Sequence, residues 1–95
     1  MGVKFEGDLK KAALNFSKHG VPFEEALTVF ADPLAKIFDD ESHSLGEQRE
    51  IIIGHSVNQN LLLVCFTAEA ESIRIFSARE ATKRERKDYE EDVKP

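Results

Sequence analysis

The sequence has little of what small proteins use for covalent or metal-based stability. Of its 95 residues only Cys65 is a cysteine, which excludes an internal disulfide and any multi-cysteine metal site. Tryptophan is absent, tyrosine occurs once as Tyr89, and three prolines and five glycines are too few for a collagenous or low-complexity chain. No apolar run approaches the roughly 18–20 residues a membrane helix needs, and the first residues have no apolar stretch of the secretory-signal type. Gly2 follows Met1, but Glu6 stands where a myristoylation motif needs Ser or Thr. Basic residues are outnumbered 13 to 18, for a net charge of −5, which argues against a general nucleic-acid coat protein. These absences lead us to expect a cytoplasmic protein without cofactor or metal. One domain should span residues 1–95, with 91–95 as a frayed tail.

What is present is uneven charge and clear periodicity. Residues 1–20 carry four basic and two acidic side chains, residues 21–50 two and eight, and residues 74–90 six and four. Two positive ends therefore bracket an acidic middle. Val3 to Glu6 suits a short first strand. Asp8 is placed to cap a helix whose apolar residues Leu9, Ala12, Ala13 and Phe16 recur at helical spacing. Gly20 should close that helix, with Lys18 and His19 in its last turn. Pro22 can open a second short helix, on which Phe23, Ala26, Leu27 and Phe30 form the buried stripe, and Asp32-Pro33 stops it.

The pattern then turns to strands. Ala35–Asp39 and Gln48–His55 are separated by a polar loop from Asp40 to Gly46. Leu61–Thr67 is nearly all apolar and should be a central strand buried on both faces. Ser72–Ala78 alternates, with Ile73, Ile75 and Ser77 on one face and Arg74 and Phe76 on the other. Thr82-x-x-Glu85 has the form of a capping box and should start a final helix that includes Tyr89. Short turns between the last four strands imply an antiparallel meander. The fold class is α+β: a short strand, two N-terminal helices on one sheet face, a four-stranded antiparallel meander and a C-terminal helix.

Two long motifs carry a resemblance. Residues 5–33 include Asn15, Lys18-His19-Gly20 and Phe23-Glu24-Glu25-Ala26. Residues 73–90 read Ile-Arg-Ile-Phe-Ser-Ala-Arg, followed by Glu85-Arg86 and Tyr89. With Glu47-x-Arg49, Gly54-x-Ser56 and Thr67, they resemble the BrnT toxin family of bacterial type II toxin–antitoxin systems. One departure is Gly7, where the family usually has a Trp. The resemblance implies a RelE-like fold and a ribonuclease that arrests growth. It also implies neutralisation by a BrnA-type ribbon-helix-helix antitoxin, whose complex with the toxin binds promoter DNA. A membrane role is not implied.

RNA can be cut without a metal, because its own 2′-hydroxyl can attack the adjacent phosphate. Such a site needs an acid and a base, and cations around the developing phosphorane charge. Arg74 and Arg79 are candidates to clamp the phosphate. Arg49, on the third strand, could share a face with Arg74 across the fourth. His19 has the titration range for acid or base work, and Lys18 would add positive potential. Glu25, Glu85 or Tyr89 could hold or activate one of these. Each candidate also has a plainer role. In that plainer reading Lys18 and His19 complement the helix dipole, Arg74 and Arg79 form structural ion pairs, Glu85 completes the capping box, and Tyr89 is core. Cys65 reads as a core residue. RNA is expected on the side of Arg74, Arg79 and Lys18, away from Asp39, Asp40 and Glu41. The competing function is a non-catalytic antitoxin-binding module that acts mainly as a co-repressor.

Overall fold

The computed structural model describes residues 4–6, 8–41 and 48–92. The apolar run from Leu61 forms a nine-residue strand at the centre of the five-stranded sheet. In chain order the elements are β1 (Lys4–Glu6), α1 (Leu9–His19), α2 (Phe23–Thr28) with a 3-10 turn (Val29–Ala31), and β2 (Lys36–Asp39). They continue with β3 (Glu50–His55), β4 (Leu61–Glu69), β5 (Ser72–Glu80) and α3 (Lys83–Asp92). The sheet order is β1-β5-β4-β3-β2. Strands β2 to β5 form the expected antiparallel meander. β1 joins it in parallel, with Phe5 opposite Ile73, so the five-stranded sheet is mixed. No local pattern encodes that pairing, because the partners are separated by most of the chain.

The caps fall where the sequence places them. Asp8 accepts from the Lys10 N–H at 2.8 Å. Gly20 adopts the left-handed conformation (φ 71°) that closes α1, its N–H donating to Phe16 O at 2.8 Å. Glu85 accepts from Thr82 N–H at 2.8 Å while Thr82 Oγ1 accepts from Glu85 N–H at 3.1 Å, the reciprocal capping box. Pro22 sits just before α2 as its cap rather than as its first residue. The loop at 42–47 and the ends at 1–3 and 93–95 lie outside the described residues, as does Gly7.

Ile52, Leu62, Val64, Phe66, Ile75 and Ala78 pack beneath Val21, Phe23, Ala26 and Val29 to form the main core. On the opposite sheet face α3 lays Tyr89 over Ile53 and Leu61. Helices therefore cover both faces.

Two expectations are corrected. Of the apolar stripe of α1 only Ala12 packs against the core: Leu9 is 88% and Phe16 56% exposed, Ala13 is exposed, and the buried residue is Asn15. Among the described residues β1 pairs with β5 at residues 72–74. Further along, the Asn15 amide takes a strand's place, accepting from Ala78 N–H at 3.0 Å and donating to Ala78 O at 2.8 Å. It also donates to Val21 O at 3.0 Å. These buried backbone bonds set the rotation of the helix, since leaving them unmade would cost about 1–3 kcal/mol per group.

The second correction concerns β5. Cys65 pairs with Ser77 but Phe66 with Ile75, so Phe76 is an extra residue in a β-bulge. Beyond the bulge the alternation inverts. Ala78, not Ser77, joins Ile73 and Ile75 on the core side, and Arg79 emerges on the face that carries α3. Arg74 and Arg79 are five apart and would lie on opposite faces of a regular strand; the bulge places them on one.

A candidate anion-binding hollow

α3 covers only part of its sheet face. Beside it lies an open hollow of about 450 Å³ with Ile51, Leu63 and Cys65 as its floor and Lys11, Arg49 and Arg79 among its walls. Phe76, thrown out of register by the bulge, is the centre of a cation cluster. The Arg49 guanidinium lies 3.9 Å from its ring centroid, the Lys11 ammonium 4.8 Å and the Arg74 guanidinium 5.5 Å. Cations are attracted to an aromatic face, yet three of them around one ring repel one another. Their convergence raises the local potential for an incoming anion.

Arg79 stands on a different support. Its two terminal nitrogens donate to the two carboxylate oxygens of Glu85 at 2.8 and 2.9 Å, a forked pair. The Arg79 side chain remains 40% exposed. The hydrogen bond from Arg79 holds the Glu85 carboxyl down at about 2, against the opposing effect of burial, and the Thr82 cap bonds assist. A carboxylate held so far below neutrality is a poor proton carrier near pH 7. Cys65 is pushed up to about 11, first by burial and then by its contact with Asp40 (Sγ–Oδ2 3.5 Å). It is therefore a thiol at neutral pH, not a thiolate nucleophile.

The sequence candidates separate into groups. Arg49 and Arg79 line the hollow, and Arg74 reaches it across Phe76. Arg49 and Arg74 do share a sheet face. Glu85 contacts this cluster through Arg79. Tyr89 does not line the hollow: it is 4% exposed, donates its hydroxyl hydrogen to Leu34 O at 3.1 Å and meets the His55 ring edge-on at 5.7 Å. Burial raises its phenol above the ordinary range. Lys18 and His19 stay in the last turn of α1, Lys18 exposed and His19 half-buried, outside the lining of the hollow. Lys11 at Phe76 and Asn15 at Ala78 show that α1 runs alongside β5 in the same direction. Lys18 therefore follows Lys11 two turns on, about 10 Å along the same helical stripe.

Three residues of the hollow escaped the sequence reading. Lys11 looked like one of several surface lysines. Phe76 was placed on a regular strand; the break in alternation between Ile75 and Ala78 was the available signal. Asp40 was assigned to an acidic side away from Arg79, but it is 8% exposed and lines the same hollow. Its N–H donates to Arg49 O at 2.9 Å, which ties the two segments together.

Glu25 lies elsewhere, in a polar latch at one end of the sheet. It accepts from Ser56 Oγ at 2.6 Å and Asn60 Nδ2 at 2.8 Å, and these bonds lower its pKa. Thr28 Oγ1 accepts from Val57 N–H at 2.8 Å, and Asp32 Oδ2 accepts from His55 N–H at 2.7 Å. Gly54 is required there by close approach: a Cβ would stand 2.8 Å from Ala35 Cβ and 3.0 Å from Asp32 Oδ2. The Glu25 and Gly54-x-Ser56 motif residues thus hold α2 and the following turn against the β3–β4 hairpin.

Among the described residues no group of three or more His, Cys, Asp or Glu is arranged to hold a metal ion. Nor is any helix among them long and apolar enough to cross a membrane.

Residues 8–85 match the family model described as "Ribonuclease toxin, BrnT, of type II toxin-antitoxin system". Among solved structures, the chain is similar to the Brucella abortus ribonuclease toxin BrnT, determined at 1.1 Å. The identity is 23%, coverage is 85% of this chain and 99% of that one, and the TM-score is 0.67. No curated protein matches the chain.

Proposed function

The chain belongs to the BrnT family of ribonuclease toxins of type II toxin–antitoxin systems, and from that premise we propose that the Phe76 hollow is where it cuts RNA, without a metal. The observation that carries this reading is the convergence of Lys11, Arg49 and Arg74 on one ring, with Arg79 on the same sheet face.

An RNA phosphate seated there meets several cations at once. When the 2′-hydroxyl attacks, the phosphorane gains negative charge, and donors already in place stabilise it without reorganisation. Arg49 and Arg74 act as the clamp. Arg79, oriented by Glu85, adds a third guanidinium. Phe76 offers a surface on which a base can stack. Lys11 and Lys18, spaced along α1, extend the positive track for neighbouring phosphates, and His19 stands at the end of that track, outside the hollow. The rest of the reading follows the family: a RelE-like toxin acting in the cytoplasm and arresting growth, neutralised by a BrnA-type antitoxin, with the complex bound to promoter DNA.

The Arg79–Glu85 fork also favours a second reading, in which Arg79 only anchors α3 and the chain binds its antitoxin without cutting. Cleavage of RNA in EDTA by purified protein separates the two. Under the first reading wild type cuts, and Arg74→Ala fails while keeping wild-type circular dichroism; His19→Ala, outside the hollow, loses less. Arg79→Lys then falls short of wild type, because an ammonium cannot reproduce the fork. Intact RNA with folded wild-type protein, on free RNA and on ribosomes alike, would sink the ribonuclease reading.

A further inference from the structure

The opposite border of the sheet has the reverse electrostatics. β2 is the outermost strand, paired only with β3 among the described residues. Proteins usually blunt such an edge with Lys, Pro or a bulge. Here its two central residues are apolar and exposed: Ile37 at 55% and Phe38 at 48%. They point to opposite faces, so an added strand would find an apolar neighbour on each side. On the α3 side, Phe38 continues into a groove of about 210 Å³ with an apolar floor that includes Ile53, Leu63 and Tyr89. The groove's rim is acidic, with Glu85, Asp88 and Asp92, and its single cation, Lys36, lies 3.7 Å from Asp92. Asp39, the last residue of β2, and Glu41 beyond it carry the same sign, and both are exposed.

We propose that this edge and groove receive an extended segment of the cognate antitoxin as a sixth strand, resting on the type II toxin reading above. Charge selects the occupant. The acidic rim repels RNA and favours a segment with Lys or Arg beside the carboxylates. The apolar floor takes one large aliphatic or aromatic side chain from every second position of that segment. Leu63 lines both groove and hollow. Glu85 belongs to the groove and holds Arg79 in the hollow. An antitoxin strand seated here therefore abuts the proposed RNA site and touches the carboxylate that orients one of its arginines.

The test uses full-length chain and full-length cognate antitoxin. Affinity is measured by calorimetry for wild type, Phe38→Asp and Asp88→Lys, each checked by circular dichroism, and amide exchange is followed at residues 36–39. Phe38→Asp should weaken binding by about 30-fold or more, the size of an interface anchor. Asp88→Lys should weaken it less, and more at low than at high salt. Amides of β2 should slow on complex formation. RNA cleavage by the free Phe38→Asp protein should stay within about twofold of wild type, since the substitution leaves the four hollow cations in place. Unchanged affinity in Phe38→Asp, or no slowing at 36–39, overturns the proposal. So does slowing in the free protein that tracks a concentration-dependent dimer, because the occupant is then a second copy. If wild type itself cuts no RNA, the function reading fails while the binding comparison still decides the docking site.

Discussion

The latch and the hollow are both polar, both built on this sheet and both rich in motif residues, yet they are organised in opposite ways. In the latch, acceptors and donors answer one another: Glu25 with Ser56 and Asn60, Thr28 with Val57, Asp32 with His55. Its carboxylates are met by neutral donors at 2.6 to 2.8 Å. In the hollow, three cations converge on Phe76, with Asp40 in the same lining. The lesson is that a motif residue's chemistry is read from the company its neighbours provide. A carboxylate with its hydrogen bonds made holds the fold; cations gathered around one ring set a local field.

The sharpest way to break this division is to truncate one residue on each side. Arg49→Ala should lower cleavage about 100- to 1000-fold, the usual cost of removing one preorganised donor to a developing charge. Its thermal midpoint should stay within a few degrees of wild type. A large loss of stability with proportionate loss of activity would make Arg49 a structural residue like those of the latch.

Gly54→Ala tests the other side. The added Cβ meets Ala35, Asp32 and the Val29 side chain at 2.8 to 3.2 Å, and overpacking of that kind costs about 1–3 kcal/mol. Urea denaturation should show that loss. Specific cleavage per folded molecule should hold near wild type, and a drop of tenfold or more would show that the latch shapes the hollow.

The smallest effect sharpens the border between the two. Glu85 is held at about 2 in the folded chain, below the ordinary carboxyl value of 4.5. A depressed folded pKa gives stability that is present above the unfolded value and is lost as pH falls from about 4.5 towards 2. The pair is part-exposed, at 40% and 31% for its side chains, so solvent screening reduces the contribution to about 1 kcal/mol. Wild type should exceed Glu85→Gln by that amount at pH 6 in urea melts, and the difference should shrink on acidification. A gap that stays constant down to pH 2.5 would assign the effect to capping alone.

Much of the scaffold was legible residue by residue. Gly20 closes α1 because only a left-handed residue can do so there, and Thr82 with Glu85 starts α3 by a bond pattern local to four residues. Ile51–Ile53 and the run from Leu61 announced strands through β-branched and apolar content. The resemblance singled out Arg49, Arg74 and Arg79, which the structure brings to one sheet face. It could not separate Glu25, which serves the latch, from the residues of the hollow. Nor could it find Lys11 and Phe76, whose positions follow from other elements.

The sequence by itself determined the order of helices and strands, their caps and the central place of β4, because these depend on short-range periodicity and local hydrogen bonds. It also determined the family, through two long motifs. Only the tertiary structure decided which faces those elements present. Three non-local contacts did so: β1 pairing in parallel with β5, the Asn15 amide completing the β5 edge at Ala78, and the register shift opposite Cys65 and Phe66 that ejects Phe76. A one-residue slip in a strand moves every later side chain to the other face. That shift puts Arg79 on the face of Arg74 rather than beneath α1, and no spacing along the chain records it.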